Sequence, residues 1–196
     1  PKSCNADLFA IAFFDPEPSN RKTAFGLISK LFPKIIDILK KEWRNSPPNT
    51  RNESKVFEPY QILYDWDAET FMNTIKVESK NKSFDSRQMA IKSYKILKGK
   101  ERSIPESYEG LIGGFVKFLG KEKYKPAKDI LIEIYKIYGD NGPGSEVLAV
   151  ASTFGGKDME DVLILSLMRK NYFVSNSIDR GAIQLVKMGT KRITKK

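Results

Sequence analysis

Histidine is absent from the 196 residues and cysteine occurs once, at Cys4. Without histidine there is no Ser-His-Asp or Cys-His catalytic arrangement and no histidine-ligated metal site. One cysteine cannot form an internal disulfide and suits a reducing compartment. Long apolar runs are also missing, since no stretch reaches the roughly 20 residues that cross a bilayer. The apolar residues 8–14 (LFAIAFF) have no basic start and no small-residue cleavage pattern, so no signal peptide is expected there. Acidic residues are scarce relative to basic ones, 24 against 34.

What is present is positive charge on a globular composition. The hydrophobic fraction of 40% and charged fraction of 30% fit a chain that buries a core. The net charge of +10 predicts attraction to something anionic, whether nucleic acid, an acidic leaflet or an acidic partner. Its distribution is uneven. Residues 76–102 hold nine basic and three acidic side chains, and residues 169–196 hold eight and one. Residues 129–161 reverse this, with seven acidic against two basic. Such segregation lets a molecule touch an anionic surface and also copies of itself.

Between residues 21 and 43, apolar residues recur at helical spacing: Phe25, Ile28, Leu31, Phe32, Ile35, Ile38 and Leu39. Pro33 lies inside the run and predicts a kink or two helices. Lys30, Lys34, Lys40, Lys41 and Arg44 fall mostly on the other faces. That arrangement fits a core helix with a solvated side or a helix lying on acidic lipid. Residues 44–55 (RNSPPNTRNESK) read as a linker. Residues 71–84 (FMNTIKVESKNKSF) alternate and predict a strand. Residues 86–97 predict a short helix with Ala90, Tyr94 and Leu97 on one face. The isoleucine-rich residues 129–144 read as a strand ending in a turn, although Ile130, Ile134 and Tyr138 also fit a helix. A helix is expected over 159–168, and a hairpin from 172–174 and 182–186, followed by a basic tail.

Residues 110–120 (GLIGGFVKFLG) invite three readings. A P-loop needs four residues between its glycines, then Lys and Ser or Thr. Here five separate Gly114 from Gly120, and Glu122 follows Lys121. The run is too short to span a membrane and Lys117 interrupts it. Alternation places Ile112, Gly114, Val116 and Phe118 on one apolar side, so a core strand is expected, leading into a basic loop over 121–125.

Enzymatic motifs are sparse. Ser19-x-x-Lys22 and Ser79-x-x-Lys82 match a Ser-Lys nucleophile pattern but lie in polar turns. Asp65 and Asp67, followed by Glu78-Ser79-Lys80 on an expected strand, resemble the restriction-type nuclease pattern, in which carboxylates hold Mg²⁺ and the lysine steadies the attacking water. Its unremarkable reading is an exposed strand with paired charges. Lys92-Ser93-Tyr94-Lys95 and Lys123-Tyr124-Lys125 place tyrosines among lysines, which suits base stacking by an RNA-binding protein of the viral nucleoprotein type.

Taken in order, four stretches resemble the matrix proteins of rhabdoviruses: FMNTIKVESKNKSF, GLIGGFVKFLG, IEIYKIYGDNG, and TFGGKDMEDVLILSLMRKNYFV leading into RGAIQL. The likeness covers residues 71–186. The late-budding Pro-Pro-x-Tyr motif is absent, since Pro47-Pro48 is followed by Asn49-Thr50. The resemblance implies an α+β fold, an antiparallel sheet with helices packed against it in a single compact domain. Residues 1–45 would be an amphipathic helical region, 46–56 a linker and 57–196 the core with its tail. It further implies a non-enzymatic virion protein without a cofactor, lying beneath the envelope and in host cytoplasm, with the nucleus a further station. Such a protein self-associates, condenses the nucleocapsid and binds the anionic inner leaflet during budding, with the viral glycoprotein tail a further partner. The expected contacts are Lys40, Lys41 and Arg44; the loop Lys121, Lys123 and Lys125; and Lys187, Lys191, Arg192, Lys195 and Lys196.

Overall fold

The computed structural model of the chain describes residues 2–45, 68–78, 85–98, 107–168 and 175–189. Among these residues the regular structure is entirely helical, and there is no strand. The expected α+β sheet fold is therefore corrected to an all-helical one. The chain divides into two compact units, residues 1–111 and 112–196.

In the first unit, α1 (Lys2–Phe14) packs against both α2 (Pro18–Leu31) and α5 (Ser86–Leu97). Its apolar sequence requires this central position: Ala6, Phe9, Ala10, Ala12, Phe13 and Phe14 are all fully buried. The aromatic rings knit the unit together. Phe71 stands 4.8 Å from Phe13 and 5.9 Å, edge-on, from Phe14, and Phe9 meets Phe32 at 5.2 Å. Such offset and edge contacts add roughly 0.5–1.5 kcal/mol each beyond area burial. Asp7 of α1 pairs with Lys92 of α5 at 2.8 Å. The turn from α1 to α2 is closed by Arg21, whose guanidinium donates to the carbonyls of Asp15 and Pro16 at 2.6 and 2.9 Å.

Pro33 divides the expected helical run as its missing donor requires. Helix α2 ends at Leu31, α3 (Pro33–Asn45) begins afresh, and Phe32 between them leaves helical geometry. Helix α3 buries Ile35, Ile36 and Leu39. Helix α5 matches the expected helix, with Ala90, Tyr94 and Leu97 all buried.

The expected strands are helices for identifiable reasons. Residues 68–78 form α4 (Ala68–Glu78), burying Phe71, Met72 and Ile75, an i, i+1, i+4 stripe that alternation does not produce. The glycine-rich run lies in α6 (Ser107–Lys121). Leu111, Ile112, Phe115, Val116, Phe118 and Leu119 are each at most 6% exposed, and between residues 111 and 120 only Lys117 faces outward. An all-round apolar segment is compatible with a fully buried helix as well as a strand. Residues 129–138 lie in α7 (Lys128–Tyr138), which buries Leu131, Ile134 and Tyr135. Residues 182–186, expected in a hairpin, lie in α10 (Ser175–Met188). Residues 172–174 and 46–56 lie outside the described residues.

In the second unit, α8 (Gly142–Phe154) packs against α7, α9 (Lys157–Met168) and α10. The helix expected over 159–168 is α9. The α7–α8 turn is tight: Tyr135 donates to the buried Asp140 carboxylate at 2.7 Å. Gly139 takes a positive φ of 62°, and a Cβ on Gly144 would lie 1.9 Å from the Gly139 carbonyl oxygen.

Candidate anion-binding surfaces

The basic loop expected at residues 121–125 is the corner between α6 and α7. Helix α6 ends there in a Schellman motif: Tyr124 N–H donates to Leu119 O at 3.1 Å and Lys123 N–H to Gly120 O at 3.0 Å. That motif places its C′ residue in the left-handed region, which glycine usually fills. Here it is Lys123, with φ 51°, the one non-glycine positive φ among the described residues. The left-handed conformation costs a side-chain-bearing residue about 1–2 kcal/mol. Lys121 and Lys123 are exposed.

Lys125 has a different task. Its Nζ donates to the Phe154 carbonyl at 2.9 Å and also to that of Thr153, the last carbonyls of α8, and lies 5.9 Å from the Phe154 ring centre. A cation there satisfies orphan acceptors and complements the negative end of the helix dipole. The loop is thus not a uniform triad of contact lysines. Nearby, Lys128 pairs with Asp158 at 3.3 Å and Lys117 with Glu146 at 3.4 Å, while Lys157 is exposed.

On the first unit, Lys41 and Arg44 are exposed near the end of α3, and Lys40 is half-buried. A second basic surface lies on α2 and the start of α3. Leu27 and Leu31, one turn apart, are 47% and 60% exposed. Around them Lys22, Lys30 and Lys34 are exposed, with Thr23 and Gly26 on the same outer side. Sequence periodicity counted Leu31 as part of the buried stripe. The break at Phe32 changes the helix direction and leaves it outside. Leu27, which does not fit that stripe, was the available signal.

The remaining predicted residues divide cleanly. Lys187 is exposed on α10, and Lys191, Arg192, Lys195 and Lys196 lie outside the described residues. Of the nuclease set, Glu78 is the last residue of α4 rather than a strand residue, and Asp65, Asp67 and Lys80 lie outside the described residues. No group of three or more His, Cys, Asp or Glu side chains converges on a metal position among the described residues. Ser19 hydrogen-bonds Glu17 at 3.2 Å in the first turn of α2, and Ser79 and Lys82 lie outside the described residues. Tyr94 is 2% exposed and Ser93 donates to Met89 O at 2.8 Å, so Lys92-Ser93-Tyr94-Lys95 presents no ring for stacking. No described helix is long and apolar enough to cross a membrane.

Compared with known proteins, the chain matches no family model, and no curated protein or solved structure matches it.

Proposed function

We propose that this is a non-enzymatic assembly protein of the viral matrix kind, which self-associates and links an anionic nucleocapsid to an anionic membrane. The observation that carries this reading is the presence of two exposed basic surfaces of different chemistry. The α2–α3 surface interleaves Leu27 and Leu31 with Lys22, Lys30 and Lys34, which suits a headgroup layer with apolar depth beneath it. The α6–α7 corner offers Lys121 and Lys123 without exposed leucines, which suits a polyphosphate contacted by point charges. The anionic membrane is therefore assigned to the first unit and the nucleocapsid to the second. The α+β architecture that the family resemblance implied is not part of this proposal.

Magnitudes give the reading its shape. Three lysines at about 1 kcal/mol each, with two half-exposed leucines contributing about 1 kcal/mol each, amount to about 5 kcal/mol. That corresponds to a dissociation constant on the order of 0.1–1 mM. A single copy holds the membrane weakly, and an array holds it well, since linked sites multiply affinity without new contacts. Flotation of the full chain with acidic and neutral vesicles tests this. Recovery with acidic vesicles that falls as salt rises is expected. Equal recovery on both, insensitive to salt, contradicts the proposal.

A further inference from the structure

Helix α10 carries an outer face that its own unit leaves uncovered. It buries Gly181, Gln184 and Leu185, and Gln184 meets Ser152 of α8. On the opposite side Ala182 is exposed, Ile183 is 52% exposed and Val186 is 80% exposed. These three neighbour one another at i, i+1 and i+4, forming a short apolar strip with a small residue on which another helix can sit closely. Lys187 is exposed at the end of the strip. Asp179 stands four residues before Ile183, and Lys187 four residues after it. Asp179 is also the single acidic residue in the otherwise basic tract 169–196.

We infer that this face binds the same face of a second copy, α10 against α10, antiparallel about a two-fold axis at Ile183. In that arrangement position 179 of each chain meets position 187 of the other, so one apolar strip is flanked by two Asp–Lys pairs. An isologous contact of this kind needs a surface complementary to itself, which a basic strip alone would not be. An anionic leaflet is the poorer occupant, because the strip has one lysine and an acid a turn away, whereas the α2–α3 surface has three lysines. The inference deepens the self-association within the proposed function and rests on that reading. A single helix pair buries far less than the 1,200–2,000 Å² of ordinary stable interfaces, so the contact is weak and forms at high local concentration.

Sedimentation equilibrium of the full chain over a broad concentration range tests it, alongside vesicle flotation at the lowest concentration. Val186→Glu, at a position too exposed to disturb the core, is expected to weaken dimer formation at least about tenfold. Asp179→Lys and Lys187→Asp are each expected to weaken it severalfold, and the two together to restore it. Flotation of the dilute protein stays unchanged in Val186→Glu, which separates this contact from membrane binding. Three results overturn the inference: a monomer at every concentration, association indifferent to Val186→Glu, or a double charge exchange no better than either single one. Loss of flotation in Val186→Glu with association intact also overturns it, and assigns the strip to lipid.

Discussion

Individual residues show which side chains serve the fold and which stand exposed. Lys125 and Lys123 are two positions apart in a basic loop, yet one caps α8 and the other stands exposed in a conformation glycine adopts more readily. Lys123→Gly is therefore expected to stabilise the second unit by about 0.5–1 kcal/mol, allowing for the greater unfolded-state entropy of glycine. Under the proposed function, the same change is expected to weaken binding to single-stranded RNA, a stand-in for the nucleocapsid. Chemical denaturation and a salt-dependence series measure the two effects on one variant. Gly144→Ala should do the reverse. Its new Cβ would meet a backbone oxygen at 1.9 Å, so a loss of about 3 kcal/mol or more is expected in thermal unfolding.

At the scale of elements, the caps and breaks are the parts that physical chemistry dictates most directly. Asp85 caps α5: its carboxylate accepts from Arg87 N–H at 2.9 Å and from the Arg87 guanidinium at 2.9 Å through both Nε and Nη2. Partial burial pushes the carboxyl upward, but the Arg87 hydrogen bonds and charge outweigh it and hold it below its ordinary range. A depressed folded value means the stabilisation is present above the unfolded value and is lost as pH falls through the folded one. Asp85→Ala is expected to cost about 1 kcal/mol at neutral pH. That difference should shrink in acid, as seen by comparing urea midpoints across pH. Asp85→Asn, which keeps a capping oxygen without the charge, should retain part of the stabilisation and lose the acid dependence.

The element scale is also where the sequence was partly legible. Pro33 announced the α2–α3 break, and the i, i+4 pattern of Ala90 and Tyr94 announced α5. The failures share a cause. Residues 71–76, 110–120 and 129–138 are short, apolar and rich in β-branched or glycine residues, and such segments satisfy strand and helix patterns alike. What decided them was burial on several sides at once, as in α6, where Lys117 alone among residues 111–120 faces outward. Burial of that kind is set by neighbours distant in sequence. The close approach that Gly120 permits, with a Cβ that would lie 2.4 Å from Val150 Cγ1, is such a contact. Lysine positions were legible as charge, but their roles were not. The cap made by Lys125 depends on where α8 ends, and the exposure of Leu31 depends on how the helix turns at Phe32.

At the scale of the whole molecule, each of the two units carries its own exposed lysines and exposed apolar side chains among the described residues. The first unit combines exposed leucines with lysines on α2. The second combines a lysine corner with the Ala182, Ile183 and Val186 strip. Under the proposed function, such a protein would act through many weak contacts made by many copies, the logic of an assembly lattice. Salt should act on both polyanion contacts, and much less on burial of the α10 strip.

The most direct measurement is vesicle flotation across a salt series, comparing the unaltered chain with Leu27→Ser/Leu31→Ser and with Lys30→Gln/Lys34→Gln. The account predicts acidic-vesicle binding that declines with salt. The lysine variant should reduce both binding and its salt dependence, and the serine variant should reduce binding while the salt dependence persists. Binding unchanged in both variants, or equal on neutral and acidic vesicles at every salt concentration, would contradict the assignment of α2 and α3 to an anionic membrane.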